Sequence, residues 1–294
     1  MTESLRLLTV HAHPDDESSK GASTVALYRD QGILSTLVCC TGGEAGDILN
    51  PVMDRPEVRD NLAEVRREEL AAAADVIGYE HVDLLGYHDS GMPDSPDNAR
   101  SDNFWNAPLD EAIGRLVAII RRDRPQVVVT YPEDQSHYAH PDHLRVHDIT
   151  IPAFDRAADR AWYPDAGDPW QPLKLYYTTW SVTRMVALHE KFLELGLESP
   201  FDDSWRERWK DNDSDSRITT RVEIGDYYAV REKALLSHAT QIDPTSPFWF
   251  GLPTDVARDV HPFDDYVLAR SLVESDIPES DLFAGIPGRG SAAA

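Results

Sequence analysis

Four short runs rich in Val, Leu, Ile and Thr constrain the fold of this chain more than any other feature of its sequence. They lack the alternation of a half-exposed strand, so they are typical of buried parallel strands. Helical patterns separate them, and this order predicts a Rossmann-like α/β fold with a mostly parallel, doubly wound sheet. The runs are residues 5–10, 33–40, 81–85 and 126–130, and the helical patterns are residues 17–31, 57–77 and 109–122.

The second half of the chain predicts an α+β carboxyl-terminal portion. Residues 199–217 are polar and charged, so we expect an inserted flap in which Trp205 and Trp209 pack rather than recognise a ligand. From residue 277 onward the chain is rich in Pro, Gly and Ala, and we expect it to fray. Further helices are predicted at 141–161, 184–195 and 227–239, and further strands at 174–179 and 218–224. We expect a single catalytic domain over residues 1–294, made of a core at 1–165, a substrate-covering portion at 166–274 and an extended tail at 275–294.

The charge of the chain excludes two classes of partner. Lys and Arg number 28 and Asp and Glu number 52, and a formal charge of -24 repels nucleic acid and anionic membrane. The two cysteines, Cys39 and Cys40, are neighbours in a predicted strand, so they point to opposite faces and do not pair. No apolar run approaches the roughly 20 residues of a membrane helix, and the amino terminus lacks the features of a signal peptide. We therefore expect a cytoplasmic protein whose partner is a small molecule.

Acidic and imidazole side chains follow the predicted strands, at the edge where α/β proteins bind ligands. The first strand leads into HPDDE at residues 13–17, and the fourth leads to HPDH at residues 140–143. In each motif the first and fourth residues lie near one face of a turn that Pro can initiate. This geometry favours convergence of His13, Asp16 and His143 on one point. Two imidazoles and one carboxylate with an open position form a catalytic zinc arrangement. Iron(II) accepts similar ligands, so the pattern leaves Zn²⁺ and Fe²⁺ both open.

The three adjacent acids at residues 15–17 would repel one another unless a cation offset their charge. Asp15 is then left to accept a proton from water, while Glu17 faces the positive end of a helix dipole. His140 is expected to stabilise charge as a cation or to donate a proton to a leaving group. Tyr138 is expected to donate a hydrogen bond to a developing oxyanion. One His-Pro-Asp triplet alone would more often be a simple helix start, but two copies at strand ends favour a metal site.

The motifs also resemble those of a known family. HAHPDDE and HPDH resemble the zinc-dependent N-deacetylases that act on N-acylated glucosamine, including the PIG-L-like and LmbE-like proteins. The resemblance implies the same metal ligands and gives Asp15 the role of general base. It also implies that His140 acts electrostatically or as an acid, and that Tyr138 stabilises the tetrahedral intermediate.

The same resemblance implies roles for residues that their local pattern leaves unexplained. Asp142 matches an acid that orients a neighbouring side chain. Lys20, Asp47, Arg66 and Asp89 match positions that contact substrate. Asp47 stands where the family usually has Glu, so its reach is shorter. The segment at residues 135–137 also departs from the Asn-Gly-Gly usual in the family, which predicts a stiffer loop before Tyr138.

Other blocks extend the resemblance over residues 5–287 and favour an amidase branch of the family; they include TGGEAGDILNP, HATQIDP and DLFAGI. This implies hydrolysis of the amide between a glucosamine nitrogen and an acetylcysteine carbonyl in an S-conjugated pseudo-disaccharide thiol, a detoxification reaction. One alternative is an enzyme that deacetylates N-acetylglucosaminyl-inositol. Another is a non-catalytic module that binds metal or sugar, since a fold does not prove a function. Dinucleotide binding is excluded because no G-x-G-x-x-G follows the first strand.

Overall fold

The computed structural model describes residues 4–134, 138–201, 203–210 and 214–289, and a seven-stranded sheet runs through them. Its order is β3-β2-β1-β4-β5-β7-β6, in which β1 to β5 are parallel and β7 is antiparallel to both of its neighbours. The strands are β1 (Arg6–His11), β2 (Leu34–Thr41), β3 (His81–Tyr87), β4 (Val127–Thr130), β5 (Lys174–Thr179), β6 (Thr220–Glu223) and β7 (Phe263–Ser271). The predicted α/β fold class, with a mostly parallel sheet, is confirmed.

Helices cover both faces of this sheet, as the doubly wound prediction requires. They are α1 (Asp16–Ser19), α2 (Ala22–Asp30), α3 (Pro56–Arg59), α4 (Leu62–Ile77), α5 (Leu109–Asp123), α6 (Pro141–Arg156), α7 (Val182–Glu194), α8 (Asp203–Lys210), α9 (Tyr228–Ser237), α10 (Pro247–Phe250) and α11 (Thr254–Val260). Short 3₁₀ turns lie at Pro96–Ala99, Ser214–Arg217 and Gly225–Tyr227. Among the described residues, no helix has both the length and the apolar character that crossing a bilayer requires.

The central strands are buried on both sides because each contributes side chains to two cores. Leu8 and Val10 join the core under α5 and α6, whereas Leu7 joins the core under α2 and α9. Cys39 and Cys40 follow the same alternation: they lie in different clusters, and both are free thiols. The prediction that these two cysteines face apart is therefore confirmed.

Two predicted helices are each broken into a short and a long piece. The pattern at 17–31 forms α1 and α2, separated at Lys20 and Gly21. Gly21 has a φ of 108°, a left-handed value that favours glycine, and a Cβ there would lie 3.0 Å from the Tyr266 hydroxyl oxygen. The pattern at 57–77 forms α3 and α4, and it ends as predicted at a left-handed Gly78.

The sequence patterns do not predict β7, which pairs with β5 on one side and β6 on the other. Its second and third residues are acids, Asp264 and Asp265, which are uncommon inside a strand and hide the strand pattern in the sequence. In the fold both are buried and bonded: Asp264 accepts from the Thr24 hydroxyl at 2.8 Å, and Asp265 accepts from the Ser181 hydroxyl at 2.6 Å.

The prediction that the chain frays from residue 277 is wrong for the described part of that segment, residues 277–289. Leu282, Phe283 and Ile286 are buried in the core beside α2. Apolar residues every few positions in a segment rich in Pro and Gly dock without forming a helix or strand. The division of the chain at residues 165 and 274 stays a prediction.

The predicted flap contains helix α8, and its aromatic residues pack as expected. Trp205 and Trp209 lie against Phe201, with ring centroids 6.0 and 5.6 Å away, and all three join the core on that side. Whether this segment covers a substrate stays a prediction.

Candidate active site

Two loops from distant parts of the chain meet beyond the carboxyl ends of β1 and β4. One connects β1 to α1, and the other precedes α6, whose first residue is Pro141 as predicted. The Asp16 Oδ2 atom lies 3.6 Å from Nδ1 of His13 and 3.4 Å from Nε2 of His143. The structure thus brings together the three side chains that the sequence predicts as ligands, and we call them the metal group.

The metal group fits a divalent cation. Its three side chains are buried, and each offers a ligand atom within 4.8 Å of the others. Two ligands bound to one tetrahedral zinc at about 2.0–2.2 Å are roughly 3.4 Å apart, close to the separations found here. The second oxygen of Asp16 accepts a hydrogen bond from Lys20 Nζ at 2.5 Å, which leaves Oδ2 facing the imidazoles.

The surroundings of the metal group shift the pKa values of its side chains in ways that favour positive charge at the site. Burial alone would raise the pKa of Asp16, but the Lys20 ammonium and His143 outweigh it and lower the pKa well below its usual range. Burial lowers the pKa of His143, which favours the neutral imidazole that a metal requires. Burial would also lower the pKa of His13, but the Asp89 carboxylate and hydrogen bonds to Asp142 and Asp16 outweigh it and raise the pKa. The site therefore favours a positive charge next to Asp16.

Two further carboxylates lie behind His13. Its Nε2 atom is 3.2 Å from Asp142 Oδ2 and 3.4 Å from Asp89 Oδ1. Asp142 also accepts hydrogen bonds from the backbone N–H of Ser90, at 2.9 Å, and from the Ser90 hydroxyl. A carboxylate that holds the far nitrogen of an imidazole fixes the tautomer and orientation of that ring. The structure thus places Asp142 where the resemblance predicts an orienting acid.

Asp15 lies beside the metal group but is not part of it. Its φ of 107° is a left-handed value that a non-glycine residue rarely adopts, and such strain concentrates at functional sites. Its side chain keeps 28% of its surface exposed, and its Oδ2 atom accepts a hydrogen bond from Arg66 at 3.1 Å. Burial raises the pKa of Asp15, and the neighbouring Asp16 adds to this, while Arg66 opposes it.

Glu17 has a role in the fold that the sequence does not reveal. Its Oε2 atom accepts the backbone N–H of Asp15 at 2.9 Å, and its Oε1 atom lies 2.7 Å from Nε2 of His238. Both side chains are fully buried. Burial would lower the pKa of His238, but the Glu17 carboxylate raises it instead. The two side chains form an ion pair that holds the strained backbone of Asp15.

His238 is the residue that sequence reasoning missed, although it lies in the HATQIDP block that carried part of the resemblance. The same block anchors the site's outer loops. Its Thr240 donates to both oxygens of Glu69 in α4, and the Thr240 carbonyl accepts from Leu49. The block therefore holds the loop after β1, through His238, and the loop at Leu49, through Thr240. The only sign of this role in the sequence is that HATQIDP is one of the motifs that the resemblance shares.

Arg66 and Asp89, predicted to contact substrate, are buried among the site's supports. Arg66 donates to the carbonyl of Pro14 at 2.5 Å, to that of Gly43 at 2.6 Å, and to Asp15. Gly43 has a φ of 69°, and a Cβ there would clash with the Arg66 guanidinium. Asp89 accepts from the Gly91 N–H at 2.8 Å and faces His13. Each contacts the catalytic loops directly, and contact with substrate stays a prediction for both.

Lys20 contacts the metal group directly, whereas the described contacts of Asp47 lie elsewhere. Lys20 keeps 24% of its side chain exposed while it pairs with Asp16, so it can contact both a ligand and the metal group. The Asp47 side chain is exposed, and the contact described at this residue is its carbonyl accepting from Gln241 at 3.1 Å. The described contacts do not bring Asp47 to the metal group.

His140 and Tyr138 lie on the open side of the site. The ring centroid of His140 is 4.5 Å from that of His13, and burial, reinforced by His13, lowers the pKa of His140 to about 4. Its Nδ1 atom accepts the backbone N–H of Asp142 at 3.2 Å, so Nε2 carries the hydrogen of the neutral ring. Tyr138 is 51% exposed, and its ring centroid lies 5.0 Å from that of His143. Residues 135–137, which differ from the family's Asn-Gly-Gly and are predicted to form a stiffer loop, lie outside the described residues.

A mostly parallel sheet with a buried group of metal ligands at the carboxyl ends of its strands is typical of metal-dependent hydrolases with an α/β fold. Comparison with known proteins makes this specific: the chain belongs to the PIG-L family, since the family model described as "GlcNAc-PI de-N-acetylase" matches residues 8–154. This confirms the resemblance found in the HPDDE and HPDH motifs.

Two relatives and one solved structure show how far the similarity extends. The chain is 46% identical over 297 residues to a mycothiol S-conjugate amidase of Streptomyces coelicolor, covering 97% of this chain and 99% of that one. It is 40% identical over 292 residues to a 1D-myo-inositol 2-acetamido-2-deoxy-alpha-D-glucopyranoside deacetylase of Streptomyces avermitilis, covering 96% and 97%. The N,N'-diacetylchitobiose deacetylase from Pyrococcus horikoshii shares the fold, with a TM-score of 0.63 at 16% identity and coverage of 90% and 84%.

Proposed function

We propose that this protein is a metal-dependent amidase that hydrolyses mycothiol S-conjugates at the amide between the glucosamine nitrogen and the acetylcysteine carbonyl. The products are a mercapturic acid and glucosaminyl-inositol, and the role is detoxification of electrophiles. The 46% identity to an amidase of that name supports the substrate. The observation that carries the reaction is Asp15, a partly exposed carboxylate held beside the metal group and outside it.

We assign His13, Asp16 and His143 to a Zn²⁺ ion, and Fe²⁺ accepts the same ligand set. When bound, such an ion supplies Lewis-acid chemistry that activates water and polarises a carbonyl. Asp15 takes the proton of the attacking water at its carboxylate and returns it to the leaving glucosamine nitrogen. Arg66 and the Glu17–His238 pair hold Asp15 in position for both transfers.

His140 and Tyr138 are assigned to the oxygen of the amide carbonyl as it gains charge. The Nδ1 atom of His140 already accepts a backbone N–H, so its Nε2–H is the group free to donate. We thus assign His140 as a neutral hydrogen-bond donor, while the two roles predicted from the sequence, a cation or a proton donor to the leaving group, stay predictions. Tyr138 donates its hydroxyl hydrogen from the exposed side, and preorganised donors of this kind stabilise an oxyanion strongly.

A cleft reaches Pro14, next to Asp15, and offers space for the sugar part of the substrate, while the metal group lies outside its lining. It contains about 920 Å³ of empty space, open mouth included, and is lined by Pro14, Glu44, Arg67 and His88 among others. Lys20 is assigned to the acetylcysteine part, as the resemblance implies. We place the reaction in the cytoplasm, where both thiols stay reduced.

Deacetylation of N-acetylglucosaminyl-inositol is a second candidate, favoured by the 40% identity to a deacetylase of that pseudo-disaccharide. The metal-loaded protein should be assayed with a bimane conjugate of mycothiol and with the N-acetyl sugar. We expect a higher kcat/KM for the conjugate, and the reverse ranking would favour the deacetylase. Turnover of neither substrate by metal-loaded protein would instead favour a binding module.

A further inference from the structure

A second recess lies on the α2 and α9 side of the sheet, outside the metal group. Its empty space is about 430 Å³ with its open mouth included, and helices α7, α9 and α10 contribute to its walls. The wall is mostly apolar and rich in aromatic side chains, but two arginines also line it. The residues that matter here are Trp180, Arg184, Tyr228, Arg231, Phe248 and Trp249.

The two arginines are more than nine-tenths buried, with exposures of 7% for Arg184 and 8% for Arg231. Among the described residues, no carboxylate forms an ion pair with either. Arg231 makes one long hydrogen bond, from Nη1 to the Tyr228 hydroxyl oxygen at 3.5 Å, and its buried Nε–H has no partner. Burial, with Arg184 nearby, lowers the pKa of Arg231 to about 10.

Aromatic faces accommodate these cations without neutralising them. The guanidinium carbon of Arg231 lies 5.6 Å from the ring centroids of Trp180 and Trp249, and that of Arg184 lies 5.3 Å from Trp180. Cation–π contacts stabilise an arginine but leave its N–H donors unused. Two like charges packed together in an apolar recess are costly unless an anion joins them.

Two other buried arginines make more and shorter hydrogen bonds than Arg231 does. The guanidinium of Arg121 donates to a set of backbone carbonyls, including those of Ala157, Tyr163 and Asp159 at 3.0, 2.7 and 2.9 Å. Arg66 donates to two carbonyls and a carboxylate through its two terminal nitrogens, although its buried Nε–H has no partner. Arg121 and Arg66 thus use their terminal nitrogens in short hydrogen bonds, whereas the hydrogen bond described for the Arg231 guanidinium is the single long one to Tyr228.

We propose that this recess binds a small organic anion, a carboxylate attached to an apolar body, with the carboxylate on Arg231 and Arg184. The planar guanidinium donates two parallel hydrogen bonds to a carboxylate, a geometry that suits the unused N–H groups. Aromatic walls suit an apolar body, and a few convergent polar groups in an apolar pocket are typical of small-molecule sites. Inorganic phosphate lacks the apolar part and should bind much more weakly.

Benzoate is a suitable probe, and benzamide is its neutral control of nearly the same shape. Calorimetric titration of the metal-loaded protein should show that benzoate binds and benzamide does not. Arg231→Met should weaken benzoate binding roughly 10- to 100-fold, since it removes charge-assisted hydrogen bonds. Arg160→Gln, which alters an exposed pair with Asp168, should leave binding unchanged.

A carboxylate can also bind at a metal, so His143→Ala serves as the second control. That variant should keep its affinity for benzoate if the recess is the site. Loss of binding in His143→Ala but not in Arg231→Met would overturn the proposal and leave the proposed amidase unaffected. Equal binding of benzamide, or no binding of benzoate, would also overturn it. If Arg231→Met fails to fold, Arg231→Lys keeps the charge, loses the planar fork, and should still weaken binding.

Discussion

Two regions of this molecule bury charged side chains, and they do so in opposite ways. At the metal group, imidazoles and carboxylates converge at the carboxyl edge of the sheet beside a strained, partly exposed Asp15. Under the carboxyl-terminal segment, Lys174 and Glu279 form an ion pair with no exposed surface on either side chain. We call the second of these the buried pair.

The two regions differ in whether their polar atoms are already bonded within the protein or remain free to bind a ligand. The Glu279 carboxylate in the buried pair accepts from Tyr176 at 2.6 Å and Thr220 at 2.8 Å, and Lys174 also donates to the Ala284 carbonyl at 3.1 Å. Such a network is closed and holds residues 277–289 on the sheet. The metal group instead directs two imidazoles and one carboxylate toward a point where a cation fits. Closed networks are typical of structure, and unsatisfied ones indicate a site for a ligand.

The largest expected effect on turnover comes from removing a ligand. His143→Ala should abolish amide hydrolysis and lower the zinc content of the purified protein, because two ligands hold an ion poorly. His147→Ala, one turn further along α6, should keep both. Full metal content and activity in His143→Ala would contradict its assignment as a ligand. His143 would then be a structural residue, like those of the buried pair.

Asp15→Asn should lower kcat by about 10²- to 10⁴-fold, the usual contribution of a general base. Metal content should stay at the wild-type level because Asp15 is not in the metal group. Asp94→Asn is a matched control, since Asp94 also has a left-handed φ, of 70°, and is exposed. Near-normal turnover by Asp15→Asn would show that another group takes the proton from water.

His238→Asn should lower kcat roughly 10- to 100-fold with little change in KM, since misplacing a reacting group slightly is enough to cost that much. The pair with Glu17 fixes the Asp15 backbone through Nε2 of His238. His238→Gln should therefore recover part of the loss, because its longer side chain can place an amide N–H closer to the position of Nε2 than Asn can. His189→Asn, which alters a pair with Ser199, controls for general effects of losing an imidazole. An equal loss in Gln and Asn variants, with a large fall in Tm, would mean that His238 is only structural.

The buried pair should respond in the opposite way. Lys174→Met leaves the Glu279 charge buried and unpaired, which should lower the free energy of unfolding by about 3–5 kcal/mol. Turnover per folded molecule should not change. Lys191→Met, which removes an exposed pair with Glu194, should cost at most about 1 kcal/mol. A large loss of kcat in folded Lys174→Met would show that the two regions are coupled.

The pH dependence of stability sharpens the same contrast with a smaller effect. Burial would raise the pKa of Glu279, but hydrogen bonds from Lys174, Ser275 and Tyr176 outweigh it and hold the pKa below 4.5. A depressed folded pKa gives stability that is present above 4.5 and is lost as the pH falls through the folded value. The Tm difference between wild type and Glu279→Gln should therefore shrink below pH 4.5. A difference that stays constant with pH would mean that Glu279 is not charged in the fold.

Much of the fold was predictable because its signals are local. Buried strands read as unbroken apolar runs, and Gly78 marked the end of α4. The sequence does not predict β7 because the two acids near its start are typical of a loop, and only the fold supplies the Thr24 and Ser181 hydroxyls that bond to them. The docked carboxyl-terminal segment was missed for a related reason: it has no regular period, and its burial depends on a surface formed by other elements.

The sequence by itself determined which residues could hold a metal, because HPDDE and HPDH carry their spacing within single turns and the carboxyl ends of parallel strands meet at one edge. Only the tertiary structure decided what supports that site. Glu17 and His238 are 221 positions apart, and Arg66 reaches the first loop from another helix. Contacts between distant segments leave no local pattern, since they depend on packing that exists only once the whole sheet has formed. The same holds for Arg184 and Arg231 in the second recess, since only the tertiary structure shows that no described carboxylate pairs with either.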